Sequence, residues 1–205
     1  FANSGLRPDI YGGRYGLSSK DVTPDHIIAI FDNLMKDEPI NHFTVGIQDD
    51  VTHHSLPLGK PVDLGSDGTV SCKFWGLGSD GTVGANKNSI KIIGDNTGMY
   101  VQAYFEYDTK KSGGITRSHL RFGKNPIRSE YLVSKADFIA CHKQSYISQY
   151  DILSDLKPGG TFLLNCGWDE NELGDKLPPS VKRCIAENKI NFYIIDATKI
   201  ASEIG

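Results

Sequence analysis

The stretch that decides the fold is VSCKFWGLGSDGTV, residues 70–83. Its first half alternates apolar and polar residues as far as Trp75, a pattern that predicts a β-strand. Glycines follow with the spacing G-x-G-x-x-G from Gly76 to Gly81, and a helix-like stretch continues to Ile93. A strand, a glycine-rich turn and a helix in this order form the context in which such glycines bind a phosphate group.

Outside this stretch, strand and helix patterns alternate along the chain. We predict strands at 99–107, 115–122, 137–141, 161–165 and 192–195, and helices at 146–156, 181–188 and 197–204. Strands that alternate with helices favour a mainly parallel sheet covered on both faces. The expected fold class is therefore α/β, a three-layer αβα arrangement of the Rossmann-like kind with a mostly parallel, mixed sheet.

The first part of the chain has a different character. Residues 1–22 are rich in glycine and polar residues and predict a linker or N-terminal loop, so that the domain itself would cover 23–205. Thr23 followed by Pro24 predicts a helix start, and apolar residues at helical spacing continue the helix until shortly before Pro39. A short strand is predicted at 43–47.

The length, charge and ends of the chain limit its class. A chain of 205 residues with a formal net charge of −3 suits one α/β domain and disfavours a nucleic-acid binder, which is usually basic. No apolar run approaches the roughly 20 residues that span a bilayer, and no charged leader is visible, so we expect no membrane partner. Because the chain starts at Phe1 and stops at Gly205, we expect a piece of a longer protein, with processing as the alternative.

The four cysteines do not suggest a metal site. Cys72, Cys141, Cys166 and Cys184 are widely spaced, and no C-x-x-C pair occurs. We therefore expect neither a zinc ribbon nor an iron–sulfur cluster built from local ligands. Buried free thiols in a reducing, cytoplasmic compartment are the favoured interpretation.

The glycine loop, which we define as residues 76–81, has two interpretations. It could bind a dinucleotide, with Asp108 at the end of the next strand as a ribose-binding acid. Against this, Asp80 lies within the loop, and its carboxylate would repel a pyrophosphate. The other interpretation is a tight turn in which Asp80 caps the following helix. Both remain open at this point.

A local run of positive charge follows in the sequence. Residues 110–128 contain six lysines and arginines and no acid. On an acidic protein this segment could contact an anionic ligand or an acidic neighbouring domain, and the alternative is a solvated strand and loop. No serine–histidine–aspartate arrangement or P-loop lysine motif appears, so no catalytic residue is assigned.

Several longer strings resemble the pyruvate:ferredoxin (flavodoxin) oxidoreductases. They occur in the order of that family and cover nearly the whole chain: 15–20, 43–52, 74–87, 112–116, 119–123 and 140–142. The matching part is the third domain of the large single-chain enzymes, which is similar to the gamma subunit of the multi-subunit 2-oxoacid oxidoreductases.

The resemblance implies a function for the parent enzyme. Such an enzyme decarboxylates pyruvate on thiamine diphosphate, passes electrons through [4Fe-4S] clusters to ferredoxin or flavodoxin, and forms acetyl-CoA. Thiamine diphosphate and the clusters are expected in other domains of the same polypeptide, and the parent is expected to be a homodimer. This domain is expected to help bind coenzyme A and to be inactive alone.

The resemblance also directs attention to particular residues. Coenzyme A carries a pyrophosphate and a 3′-phosphate, so backbone N–H groups, hydroxyls and ammonium groups near the ends of strands are its candidate contacts. The candidates are Gly16, Leu17, Ser18, Ser19, Lys20, Gln48, Asp49, Gly76, Gly78, Ser79, Asp80, Gly81 and Lys143. Two other functions stay open: an independent NAD(P)-binding domain, and a structural docking domain that uses the basic segment.

Overall fold

The computed structural model describes residues 5, 7–16, 22–49, 51–62, 65, 68–108, 113–129 and 131–204. The chain divides into two compact units, Phe1–Leu64 and Gly65–Gly205. This division comes later in the chain than the linker boundary expected after residue 22, and each unit is described by itself.

The unit Phe1–Leu64 is built around a short parallel strand pair. Strand β1 (Gly13–Arg14) pairs with β2 (Phe43–Thr44), and helix α1 (Pro24–Leu34) connects them. Gly13 allows this pairing, because a Cβ at that position would lie 2.3 Å from the ring of Phe43. The segment 1–22 was predicted as a loop, but it therefore contains a strand. The strand predicted at 43–47 is shorter than expected, because regular pairing stops at Thr44.

Helix α1 begins where the sequence predicts. Thr23 is its N-cap, Pro24 stands in its first turn, and the Thr23 backbone N–H donates to Nδ1 of His26. The buried side is formed by Ala29 and Asn33, whereas Phe31 is 64% exposed. The apolar residues whose spacing predicts α1 thus lie on the exposed side of the helix, which we call its open side.

The unit Gly65–Gly205 contains a six-stranded sheet. Its strands are β3 (Thr69–Leu77), β4 (Tyr100–Tyr107), β5 (Ile115–Gly123), β6 (Ala136–Cys141), β7 (Leu156–Asn165) and β8 (Asn191–Ile195), in the order β4-β5-β3-β6-β7-β8. Strands β3, β6, β7 and β8 are parallel, and β5 runs antiparallel to both of its neighbours. The mixed, mostly parallel sheet is the one predicted.

Helices cover both faces of this sheet. Helix α2 (Thr82–Asn96) packs on β3, β4 and β5, where Ile90 meets Cys72 and Leu120 in one apolar cluster. On the opposite face, helices α3 (Tyr146–Gln149) and α5 (Pro179–Glu187) join a larger cluster around Ile139, Phe162 and Leu164. The α/β layering is therefore confirmed. Helices α4 (Leu173–Lys176) and α6 (Ala197–Ile204) complete the chain.

One predicted helix is wrong in extent. The pattern at 146–156 predicts a single helix, but α3 ends at Gln149 and β7 already begins at Leu156. Leu156 pairs with Ala136 on β6, and the register shifts before the pairing resumes at Thr161. Pairing across the sheet thus overrides the local helical spacing, which cannot register a distant strand. The short helix α4 has no counterpart among the predicted elements.

Three of the four cysteines are buried, as predicted. All four are free thiols, with Cys72, Cys141 and Cys166 buried and Cys184 half-buried. Burial raises the pKa of Cys72 to about 12 and that of Cys141 to about 11. Within the described ranges, no group of three or more His, Cys, Asp or Glu side chains could hold a metal ion. No helix among the described residues is both long and apolar enough to cross a bilayer.

Candidate functional site

The parallel strands of the sheet end at one edge, where ligands of open α/β sheets bind. The carboxyl ends of β3 and β6 are tied together there, because the His142 backbone N–H donates to the Trp75 carbonyl at 2.8 Å. The glycine loop follows β3 and Lys143 follows β6, so both groups of candidates belong to this edge. Antiparallel β5 begins at the same edge.

Asp80 closes the glycine loop on itself. One of its carboxylate oxygens accepts the Leu77 backbone N–H at 2.8 Å, and the other accepts the Thr82 backbone N–H, also at 2.8 Å. Gly81, at the N-cap of α2, has a φ of 85°. This geometry is that of a tight turn capped by Asp80, the second of the two interpretations. The carboxylate thus occupies N–H groups that a phosphate would need.

Two glycines, Gly76 at the carboxyl end of β3 and Gly78 in the turn that follows, allow close packing. Gly76 belongs to the strand, and a Cβ there would lie 2.7 Å from the side chain of Thr82 on α2. At Gly78 a Cβ would lie 3.2 Å from the carbonyl oxygen of Gly114, which also accepts the Gly78 backbone N–H. The G-x-G spacing is therefore explained by helix–strand and turn–strand contacts.

A cavity of about 340 Å³ lies beside this turn. It is bordered by the glycine loop, the start of α2 and the adjoining ends of β4 and β5, and it includes Asp80 and Asp108. We call it the loop cavity. A pyrophosphate at this position would face two carboxylates.

A second concave site contains Lys143. This cleft, which we call the Lys143 cleft, has a volume of about 550 Å³ and lies where β6, β7 and β8 end. Asn165 joins these ends: its Nδ2 donates to the His142 carbonyl at 3.2 Å, and its Oδ1 accepts the Ala197 backbone N–H at 2.9 Å. The side chains relevant to ligand chemistry are Lys143, Ser145, Ser148, Trp168, Lys176 and Asp196.

Sequence reasoning reached only Lys143 in this cleft. Trp168 and Asp196 follow β7 and β8, so the rule that pointed to Lys143 could also have pointed to them. Lys176 is different, because it stands at the end of α4, a helix that was not predicted. Its position at the cleft depends on how the chain between β7 and α5 packs.

Of the candidates in the unit Phe1–Leu64, Asp49 is engaged within its own loop. Asp49 accepts hydrogen bonds from Val51 and Thr52 and pairs with Arg14 at 3.2 Å. The hydrogen bond from the Thr52 hydroxyl is the largest cause that lowers the Asp49 pKa to about 2. Asp49 therefore organises its own loop. Gln48 is exposed, and Gly16 has a φ of 61°. Candidates 17–20 lie outside the described residues.

Two arginines of the basic segment, Arg117 and Arg121, have partners within the fold. Arg117 pairs with Glu106 at 2.6 Å. Arg121 is buried, donates to Gln102 at 2.9 Å and lies over the ring of Tyr131. Both arginines therefore contact side chains of β4, and Arg121 also contacts the segment between β5 and β6.

The sequence profile of the pyruvate ferredoxin/flavodoxin oxidoreductases (POR) matches residues 71–205. This chain belongs to that family. The match covers the whole six-stranded sheet except the first two residues of β3, so the glycine loop and the Lys143 cleft both lie inside the family region.

Individual relatives extend the likeness beyond the profile. The chain is 64% identical over 206 residues to the pyruvate-flavodoxin oxidoreductase of Enterobacter agglomerans, which covers all of this chain and 18% of that protein. It is 60% identical over 196 residues to the pyruvate:ferredoxin oxidoreductase of Moorella thermoacetica, covering 96% of this chain and 17% of that protein. The chain thus spans less than a fifth of the length of these POR relatives.

A solved structure supports the fold. The pyruvate oxidoreductase subunit PORC from Thermotoga maritima superposes with a TM-score of 0.50 at 21% identity, over 66% of each chain. At this identity the likeness concerns the fold alone. The resemblance to POR enzymes that the sequence strings indicate is confirmed.

Proposed function

We propose that this chain is one domain of a pyruvate:ferredoxin or pyruvate:flavodoxin oxidoreductase. The parent enzyme would convert pyruvate oxidatively to acetyl-CoA and reduce ferredoxin or flavodoxin. The observation that carries the proposal is the 64% identity across the full chain with a pyruvate-flavodoxin oxidoreductase of which it covers only 18%. No residue here is assigned to the redox chemistry itself.

The contribution that we propose for this domain is to coenzyme A binding. Lys143 and Lys176 supply two ammonium groups at the Lys143 cleft, Ser145 and Ser148 supply hydroxyls, and Trp168 supplies an apolar ring. The cleft also contains one carboxylate, that of Asp196, so the two ammonium groups leave a formal excess of positive charge, which suits a ligand with phosphate groups and an aromatic base. A volume of about 550 Å³ accommodates part of such a ligand, so that other domains would complete the pocket.

The remaining candidates have different parts in this proposal. Gly16 and the segment 17–20 would offer N–H groups, hydroxyls and the Lys20 ammonium to a phosphate, with Gln48 as a further contact and Asp49 holding its loop. Because Asp80 accepts the backbone N–H groups of Leu77 in the glycine loop and of Thr82 at the start of α2, the loop would contact a neutral part of coenzyme A.

The other cofactors and partners are assigned to the parent enzyme. Thiamine diphosphate and [4Fe-4S] clusters would reside in other domains of the same polypeptide, and ferredoxin or flavodoxin would be the redox partner. A homodimeric parent and a cytoplasmic location are part of the same proposal, and the free thiols fit a reducing compartment.

The first experiment tests the division of labour. The purified 205-residue chain is assayed for pyruvate-dependent reduction of ferredoxin in the presence of coenzyme A and thiamine diphosphate. We expect no turnover, because the redox cofactors belong to other domains. Turnover by the chain alone would refute the proposal.

The second experiment tests coenzyme A binding by calorimetric titration, with NADH as the comparison ligand. We expect heat of binding for coenzyme A, weakened about tenfold in each of Lys143→Ala and Lys176→Ala, because each removes a charge-assisted contact to phosphate. Lys91→Ala on the exposed side of α2 is the matched control and should bind coenzyme A as tightly as the unmodified chain does. Tight NADH binding with no coenzyme A binding would instead favour the NAD(P) alternative.

The docking alternative has a separate outcome. It expects no small ligand and a weaker domain assembly on charge reversal of the basic segment. Since Arg121 is buried, a reversal there would disturb the sheet, and the exposed Arg128 is the cleaner position to test. Unchanged coenzyme A affinity with reduced assembly in Arg128→Glu would favour docking.

A further inference from the structure

The open side of α1 is apolar along most of the helix. Its large side chains recur at a spacing that places them in one stripe along the helix axis. Each of them is at least 39% exposed, and Met35 is 85% exposed. The residues of the open side are Ile27, Ile28, Phe31, Leu34 and Met35.

The other side of α1 anchors the helix in its own unit. Ala29 packs with Phe43 and Val45 in one apolar cluster, and the Asn33 side chain bonds both the carbonyl and the N–H of Ile40. The helix is thus held without burial of its apolar stripe, although packing of the apolar face is the main source of helix stability in proteins. Soluble monomers rarely expose a contiguous apolar patch, and such a patch marks an interaction surface.

The relatives indicate where the occupant of this surface comes from. The Enterobacter agglomerans relative aligns with all of this chain, which covers 18% of it, and the Moorella thermoacetica relative aligns with 96% of this chain, which covers 17% of it. Each relative therefore has more than four fifths of its polypeptide outside the matched region. A domain tied to the same polypeptide is held at a high effective concentration, so a single apolar helix face suffices to dock it.

The charges of α1 argue against a second copy of this chain as the occupant. Residues 24–38 contain four acids and one lysine, which are Asp25, Asp32, Asp37, Glu38 and Lys36. Asp32 stands one helical turn from both Ile28 and Met35, so it lies beside the apolar stripe. In a two-fold contact both copies would bring the same acidic edge to the interface, where like charges repel. A different surface with basic residues at its edge avoids this repulsion.

From these observations we propose that the open side of α1 docks against another domain of the parent polypeptide. The surface that it meets is apolar at its centre, where Phe31 and Met35 insert, and carries lysine or arginine at its edge, opposite Asp32. Burial of the apolar side chains, rather than the exposed charge pairs, supplies most of the attraction. This inference rests on the proposed function, in which the chain is one domain of a larger enzyme.

Carbene footprinting tests the docking surface. A photolysed diazirine reagent labels accessible side chains, and peptide mass spectrometry compares the labelling of Met35 in the 205-residue chain with that in the full-length polypeptide. We expect Met35 to be labelled about tenfold less in the full-length polypeptide, because the centre of a docked interface is packed like a protein interior. An added peptide of unrelated sequence corrects for the reagent dose.

Variants of the full-length polypeptide locate the contact. Phe31→Ser should raise the labelling of Met35 at least about threefold, because it removes an apolar side chain from the centre of the interface. Val51→Ser is the matched control, since Val51 is an 88% exposed apolar residue of the same unit outside α1, and it should leave the labelling unchanged. Asp32→Lys should raise the labelling about twofold at low salt and less at high salt, as expected for a charge at the edge.

Three results would overturn the inference. These are equal labelling of Met35 in the 205-residue chain and the full-length polypeptide, equal labelling in Phe31→Ser and Val51→Ser, or a dimer of the 205-residue chain in sedimentation velocity that Phe31→Ser abolishes. The last result would assign the open side to a second copy. Unchanged labelling in Asp32→Lys would overturn the basic edge.

The footprint is read independently of the proposed function. The ferredoxin assay and the coenzyme A titration do not use the labelling of Met35, so a failed footprint leaves their results standing. Conversely, a full-length polypeptide without the proposed activity still shows whether the open side is covered. An unchanged urea midpoint of Phe31→Ser in the 205-residue chain shows that increased labelling is not loss of fold.

Discussion

The Nδ1 atom of His119 accepts a hydrogen bond from the backbone N–H of Val133 at 3.1 Å. The histidine is 2% exposed, and its Nε2 lies 3.4 Å from a carboxylate oxygen of Glu106 on β4. Because Nδ1 accepts, the neutral ring carries its proton on Nε2 and directs it to Glu106. The His119 side chain therefore links β5, on which it lies, to β4 and to the segment between β5 and β6.

This arrangement predicts a loss of stability in mild acid. Burial lowers the pKa of His119 below its ordinary 6.5. The unfolded chain then binds the proton more readily, so the stabilisation is complete above pH 6.5 and is lost as the pH falls through the folded pKa. We expect His119→Gln, whose amide oxygen can still accept the Val133 N–H, to flatten the pH dependence of the unfolding free energy there. The change amounts to at most about 1.4 kcal/mol per pH unit.

Urea unfolding between about pH 5 and 7.5 measures this slope. The control is His53→Gln at an exposed histidine, which should leave the pH dependence of the unfolding free energy as it is in the unmodified chain. Identical slopes in His119→Gln and the parent would show that His119 does not titrate on unfolding in this range.

Gly76 should not tolerate a side chain. A Cβ at this position would lie 2.7 Å from the Thr82 side chain, so Gly76→Ala must move α2 away from β3. We expect destabilisation by about 1–3 kcal/mol, measured by urea unfolding. The matched change Gly84→Ala places a Cβ in open space on α2 and should stabilise by up to about 1 kcal/mol. Similar effects at both positions would contradict the close packing.

Asp80 should contribute to stability as a cap. Asp80→Ala leaves the Leu77 and Thr82 N–H groups without their side-chain acceptor, and we expect a loss of about 1–2 kcal/mol in thermal or urea unfolding. Ser79→Ala, one residue earlier in the same exposed turn, is the control and should change stability by less than about 0.5 kcal/mol. Equal losses would mean that the turn, rather than the carboxylate, determines the effect.

A buried polar residue and an exposed apolar residue of α1 should differ in how much they contribute to stability. Asn33 is 1% exposed and bonds both the carbonyl and the N–H of Ile40 at 3.0 and 3.1 Å, so Asn33→Ala should cost about 1–3 kcal/mol. Phe31→Ser on the open side should change the unfolding free energy by less than about 0.5 kcal/mol. A larger cost at Phe31 than at Asn33 in urea unfolding would reverse the assignment of the buried side.

The thiols should react in the order of their exposure. Cys184 is half-buried, whereas burial raises the pKa of Cys72 to about 12 and that of Cys141 to about 11. We expect iodoacetamide to alkylate Cys184 well before the other two in the native chain, as followed by peptide mass spectrometry, since the thiolate is the nucleophile. Denatured protein is the control, in which all sites should react at similar rates.

Much of the fold could be predicted because its signals are local. The alternation before Trp75, the cap at Thr23 and Pro24, and the spacing in α5 each depend on neighbours within a turn or a strand. The helix predicted at 146–156 failed for the converse reason, because Leu156 pairs with Ala136, which is distant along the chain. The candidate site shows the same division: Lys143 is predicted from the strand that it follows, whereas the position of Lys176 at the Lys143 cleft depends on α4, a helix that the sequence pattern does not predict.

The sequence by itself determined the alternation of strands and helices, the family, and the presence of an acid within the glycine loop. Tertiary structure alone decided which amides Asp80 accepts, which side of α1 is buried, and that the ends of β6, β7 and β8 enclose one cleft. The physical reason is the distance along the chain over which each feature is determined. Backbone conformation and periodicity are set by adjacent residues, whereas a cavity needs strand register and helix packing to join segments far apart in the chain.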